Sequence, residues 1–129
     1  MRIYIAHSKL INYIEELYNP IEEMDIYQKH EIIFPHKKTK TSNNTRDFYK
    51  TIDIVIAECS APATGLGIEL GWLYDDKKKI YCIHRNDKEI SSSIKVLTNN
   101  IYEYSNQEEM KEIINNIIEG ENNEWLFFL

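Results

Sequence analysis

The thirty-odd residues from Asp53 to Arg85, DIVIAECSAPATGLGIELGWLYDDKKKIYCIHR, restrict the fold more than any other part of the chain. Asp53 to Cys59 is an apolar, β-branched run of strand length, the pattern of a parallel strand buried on both faces. Pro62, Gly65 and Gly67 then break the run, and glycine lets a backbone come close to a ligand. An apolar-periodic segment from about Leu66 to Tyr74 predicts a helix, and Lys79 to Ile83 predicts the next strand. The unit is therefore strand, loop, helix, strand, with Glu69 expected where loop becomes helix. Free amides at a helix start favour anions. A carboxylate there has two readings: a catalytic group, or an ordinary helix-start residue stabilised by the helix dipole. Glu69 is the lead catalytic candidate.

The same alternation extends along the chain. Arg2 to Ala6 predicts a strand, and Leu10 to about Met24 a helix interrupted by Pro20. Glu31 to Phe34 predicts a strand and Thr45 to Thr51 a short helix. Beyond Ile83 follow a helix near Ser92 to Leu97, a short strand at Ile101 to Tyr104, and an amphipathic helix from Asn106 to Ile118. Five strands alternating with helices imply an α/β fold: a single, doubly wound, flavodoxin- or Rossmann-like parallel sheet covered on both faces. In such sheets the ligand sits beyond the carboxyl ends of the strands. Tyr4, Ser8, His36 and Glu69 are expected to meet there. Lys37 to Asn44, KKTKTSNN, reads as a mobile loop, either a lid or a plain solvated connection.

At 129 residues the chain has the length of one domain, large enough for a core without disulfides or a structural metal. A net charge of −6 argues against nonspecific nucleic-acid binding, since Lys77, Lys78 and Lys79 form only a short basic cluster. Cys59 and Cys82 lie at the ends of predicted buried strands without metal-ligand spacing and are expected as reduced core residues. His30, His84 and Arg85 likewise show no metal spacing, and structural or surface roles are expected for them. No signal-like start or membrane-length apolar run is evident, so a cytoplasmic protein without membrane contact is expected. Residues 1–120 form the expected domain. Residues 121–129 end in Trp125-Leu126-Phe127-Phe128-Leu129, an apolar tail that calls for cover by the core or by a partner subunit.

Several motifs together carry a resemblance. An acidic strand start at Asp53, Ala57-Glu58 at its end, then Pro62, and Gly65-x-Gly67-x-Glu69 followed by Leu70-Gly71 resemble the nucleoside 2-deoxyribosyltransferase family, above all its branch of 2′-deoxynucleoside 5′-phosphate N-hydrolases. Tyr4-Ile5-Ala6-His7-Ser8 is similar to the family's Tyr-x-x-Gly-Ser opening, with His7 in place of the glycine. The resemblance implies that Glu69 is the nucleophile, that Tyr4 lies in the active site and that Ser8 contacts a 5′ phosphate. It places His36 near the base and Ser91 at a phosphate site shared between subunits. The loop residues Ala63, Thr64, Gly65 and Gly67 are expected to bind substrate, but Ala63 falls where the family has a phosphate-binding serine, so a nucleoside is an alternative substrate. Asp47 is the nearest equivalent of the family aspartate if a short deletion is allowed; its other reading is a solvated residue in the first turn of a helix.

The implied chemistry is displacement of a base from the anomeric carbon by Glu69, leaving a glycosyl-enzyme, as in retaining glycosidases. Asp47 or His36 would assist the departing base, and Tyr4 would either hold Glu69 or simply fill the end of a buried strand with its ring. Water as acceptor makes a hydrolase and a second base makes a transferase. Neither a cofactor nor a metal is implied, the partner is a small nucleoside or nucleotide, and the family implies a homodimer or higher homo-oligomer. The competing reading is a nucleotide-binding module without chemistry, in which Glu69 would bind ribose hydroxyls.

Overall fold

The computed structural model describes residues 1–37 and 46–127, with the side chains of residues 125–127 excepted. Five strands, β1 (Arg2–His7), β2 (Glu31–Ile33), β3 (Ile54–Glu58), β4 (Lys79–Arg85) and β5 (Ile101–Tyr104), form one sheet in the order β2-β1-β3-β4-β5. Every pairing is parallel. This is the doubly wound α/β architecture expected from the alternation of elements. The winding direction reverses between β1 and β3, and the crevice at their carboxyl ends is where such sheets bind ligands.

Strand alternation builds two cores from one sheet, because successive side chains point to opposite faces. Ile3, Ile5, Ile54, Ile56 and Ile83 pack on one face against Leu17, Tyr18, Ile21, Met110, Ile114 and Ile118. Tyr4, Ala6, Val55, Ala57 and Cys82 face the other way, onto Tyr49, Leu66, Leu70, Leu73 and Ile94. The first face is covered by a π-helical turn (Ile14–Tyr18), α1 (Asn19–Glu22), α2 (Ile26–Lys29) and α6 (Gln107–Phe127); the second by α3 (Arg46–Tyr49), α4 (Thr64–Asp75) and α5 (Ser92–Leu97). Cys59 and Cys82 are buried, free thiols.

Three elements differ from expectation. The first helix starts at Ile14 instead of Leu10, and the interruption expected at Pro20 takes the form of a π-helical turn leading directly into α1, which widens the backbone ahead of a proline that supplies no amide. Helix α4 begins at Thr64, so Gly65 and Gly67 lie inside it with negative φ instead of forming the loop. Burial of Leu66, Leu70 and Leu73 offsets the poor helix propensity of the two glycines. Helix α6 runs unbroken through Gly120, the expected domain boundary. The expected loop or lid at Lys37 to Asn44 lies, apart from Lys37, outside the described residues, as do the side chains of the apolar terminus. Among the described residues no helix is long and apolar enough to cross a membrane.

Candidate active site

Glu69 stands on the sixth residue of α4, one and a half turns in, so its own amide is used by the helix and the expected first-turn position is corrected. Its carboxylate is held by phenols instead. Tyr4 Oη donates to Oε2 at 2.7 Å from the centre of the sheet, and Tyr49 Oη donates to the same oxygen at 2.6 Å from α3. Among the described residues Oε1 has no hydrogen-bond partner. Burial, and after it the Glu69 charge, push both phenols well above the ordinary tyrosine range, so they remain protonated donors.

Tyr49 was not anticipated. Tyr49 and Ile52, three residues apart, are both buried, and that spacing is the available sequence signal for one inward-facing turn. The same geometry turns Asp47 outward. Its side chain is 90% exposed and pairs with Lys50 at 3.5 Å, so the structure places it in solvent and not against Glu69. Arg46 fastens the one-turn helix α3 onto α4: its Nη2 lies 3.1 Å from Asp75 and 3.0 Å from Asp76, and its guanidinium sits over the Trp72 ring.

At the carboxyl ends of β1 and β2 lies an aromatic cluster built around His7, which is 5% exposed. His7 Nδ1 lies 2.9 Å from the Ser8 carbonyl, which can only accept, so Nδ1 carries the proton. Nε2 then accepts from Tyr18 Oη at 2.5 Å, and the Tyr18 oxygen accepts the His36 amide at 3.1 Å. Burial lowers the His7 pKa to about 4, so the ring is neutral at ordinary pH. Tyr13 stacks on His7 at 4.7 Å, and the exposed His36 ring meets His7 edge-on at 5.1 Å. Desolvation, then the charge of Lys9, also lower the His36 pKa. Ser8 is buried, with its hydroxyl oxygen accepting the Leu10 amide at 3.0 Å.

The remaining predicted residues collect on the other flank of α4. Ala63, Thr64, Gly67 and Ser91, with Ser93 and Ile94, line an open cleft of about 390 Å3. Gly67 and Glu69, two residues apart, point roughly 200° apart around the helix. Cleft and carboxylate thus flank the amino end of α4 from opposite sides, and Gly65, one turn before Glu69 on its own side, carries no side chain between them. A Cβ at Gly65 would meet nothing within 4 Å. Ala63 is the extended residue before α4 and provides no side-chain cap, and the first turn holds no acidic residue, so the helix start keeps uncapped amides and a positive end. Ser91 caps α5, accepting the Ser93 amide at 3.3 Å.

Glu58, on the opposite sheet face from Glu69, is 2% exposed. It accepts from the Ser60 amide at 2.6 Å, from Ser60 Oγ at 2.9 Å and from Tyr104 Oη. Ser60 Oγ in turn accepts the Arg85 amide at 2.8 Å, which ties β3 to β4 and β5. Among the described residues no group of three or more His, Cys, Asp or Glu side chains could hold a metal ion.

No family model matches the chain. A 39-residue stretch is 44% identical to the 5-hydroxymethyl-dUMP N-hydrolase of Tetraodon nigroviridis; it makes up 30% of this chain, and the chain spans about 28% of that relative's length. A Clostridium botulinum CMP N-glycosidase superposes with a TM-score of 0.62 at 24% identity, covering 89% of this chain and 99% of its own. The 2-deoxyribosyltransferase of Bacillus psychrosaccharolyticus superposes with a TM-score of 0.56 at 15% identity over 86% of this chain and 90% of its own. A conserved protein of Enterococcus faecalis superposes with a TM-score of 0.62 at 13% identity, over 90% of this chain and 98% of its own. The short sequence match and the shared fold support the resemblance to the nucleoside 2-deoxyribosyltransferase family that the motifs carry.

Proposed function

We propose that the chain is an enzyme of that family which cleaves the N-glycosidic bond of nucleoside 5′-monophosphates, or of the free nucleosides, through a covalent glycosyl-Glu69 intermediate. The observation that carries this reading is the Glu69 carboxylate at the carboxyl edge of the sheet, fixed by Tyr4 and Tyr49 on one oxygen. A pinned carboxylate in a ligand crevice is the arrangement a retaining glycosidase uses to attack an anomeric carbon. As the bond from Oε1 to C1′ forms, the C1′–N bond breaks and its electron pair leaves with the base, which takes up a proton. Water then attacks C1′, loses a proton, and the ester electrons return to Glu69.

The sugar would lie over Gly65, with its 5′ end toward the start of α4. Uncapped amides and the hydroxyls of Thr64 and Ser91 favour an anion there. That polarity, and the nucleotides in the names of the N-hydrolase and the N-glycosidase, favour the 5′-monophosphate over the free nucleoside. With Asp47 in solvent, His36 is the remaining candidate beside the departing base; as a neutral ring at neutral pH it assists by hydrogen bonding. Hydrolysis is preferred to base transfer, and a homo-oligomer in the cytoplasm is part of the same reading.

The test is chromatographic detection of free base from ribo- and deoxyribonucleosides and their 5′-monophosphates, with and without an acceptor base. Glu69→Ala should lower release by at least about a thousandfold while the protein stays folded, the scale of loss on removing a covalent nucleophile. Efficient base exchange would make the enzyme a transferase. No release from any substrate by folded wild-type protein would sink the reading and leave a binding module.

A further inference from the structure

The way Glu69 is held carries an inference about the second half of the reaction, and it rests on the N-glycoside reading above. We infer that Tyr49 is a positioning residue which, with Tyr4, reserves Oε1 of Glu69 for attack and makes Oε2 the oxygen that receives charge when the glycosyl-enzyme breaks down.

Both phenols reach the same oxygen, at 2.7 and 2.6 Å, from two unconnected elements, β1 and α3. Their rings pack edge to face with centroids 5.8 Å apart, so neither hydroxyl can swing away without disturbing the other. Tyr4 is locked in the sheet and is 4% exposed, as is Tyr49. The one-turn helix that carries Tyr49 is itself held to α4, the helix that carries Glu69, by the Arg46 contacts with Asp75, Asp76 and Trp72. Carboxylate and donor therefore keep their spacing through a direct brace between their helices.

Two donors on Oε2 have opposite effects on the two steps. In the free enzyme they stabilise the carboxylate and blunt it as a nucleophile, although they aim Oε1, which has no partner among the described residues. In the glycosyl-enzyme Oε1 is bonded to C1′ and Oε2 is an ester carbonyl oxygen, a weaker acceptor than a carboxylate oxygen. When water attacks C1′, the Oε1–C1′ bond breaks, its electron pair passes into the carboxylate, and both phenols strengthen their hold on Oε2 as the charge arrives. Interactions that tighten toward the transition state accelerate that step. The arrangement thus favours breakdown of the intermediate over its formation.

Tyr49→Phe keeps the ring and removes only the donor. Its kcat should fall about tenfold, the scale of one hydrogen bond to a charged group. KM should fall with it, because slower breakdown lets the intermediate accumulate. Intact-protein mass spectrometry of the variant under turnover should show a larger fraction carrying one sugar, or sugar-phosphate, adduct than wild type. An unchanged kcat, or a lower kcat without more adduct and with KM unchanged or raised, would overturn the inference and leave Tyr49 a packing residue. A substrate-free measurement separates this from failure of the wider reading: tyrosine 13Cζ NMR through an alkaline titration. In Glu69→Ala the Tyr4 and Tyr49 signals should titrate at lower pH than in wild type, with the other tyrosines little changed. An indifferent Tyr49 signal would also overturn it. If both signals respond but wild type releases no base, the contact is real and the role in turnover falls with the N-glycoside reading.

Discussion

Among single residues, His7 shows how one substitution reshapes the mouth of the crevice. Where the family motif has glycine, a buried imidazole ties β1 to the π-helical turn through Tyr18, and Tyr18 ties that turn to the amide of His36 beyond β2. The arrangement needs the neutral ring, since a protonated Nε2 cannot accept from Tyr18. With a folded pKa of about 4 against an ordinary value of 6.5, the unfolded chain binds the proton first as pH falls. Stability from this residue is therefore complete above about pH 6.5 and is lost as pH drops toward about 4. Between pH 7 and 5 the loss should be about 2 kcal/mol, and urea unfolding should show a shallower pH dependence for His7→Gln than for wild type. The role of this residue was not legible in sequence, because a histidine in a glycine's place signals only that the loop differs. Glu69 and Tyr4 were legible, through motif order and through the position of Tyr4 on a buried strand.

Among the elements, α4 departs most from what local sequence suggests. Glycines at 65 and 67 read as loop, yet both have helical backbone, and at these two and at Gly71, which lies inside the expected helix, open space stands where a Cβ would be. Gly71 is two residues past Glu69 and away from the crevice end of the helix. Gly71→Ala should raise stability by about 0.5–1 kcal/mol, measured by thermal or urea unfolding, by reducing the entropy of the unfolded chain. A loss of stability there would mean that neighbouring packing on α4 is tighter than the open space indicates. Helix α3 makes the complementary point. At one turn it has no stability of its own, and it exists because Tyr49 is buried and Arg46 grips α4. Asp47, the most conspicuous carboxylate of the segment, is left in solvent by the same turn.

For the molecule as a whole, two polar networks sit at the carboxyl edge of one sheet, on opposite faces. The Glu69 network faces α3 and α4 and is the one proposed above to carry chemistry; the Glu58 network faces the α1 and α6 side and joins β3, β4 and β5. Tyr104→Phe removes one donor from the buried Glu58 carboxylate and should cost about 2 kcal/mol of stability in urea unfolding, with turnover per folded molecule unchanged. A drop in turnover instead would couple the two faces. The division follows from strand alternation: residues of even number on β1 and odd number on β3 share the α4 face, and their neighbours share the other. Strand and helix order, the parallel sheet and the family motifs around Glu69 were determined by sequence alone, because hydrophobic periodicity and glycine and proline placement are local properties. Which groups meet was decided only in three dimensions. The approach of Tyr49 to Glu69, the exclusion of Asp47 and the closing of His7 onto Tyr18 depend on contacts between segments 11 to 30 residues apart, and no local pattern encodes the rotation of one short helix against another.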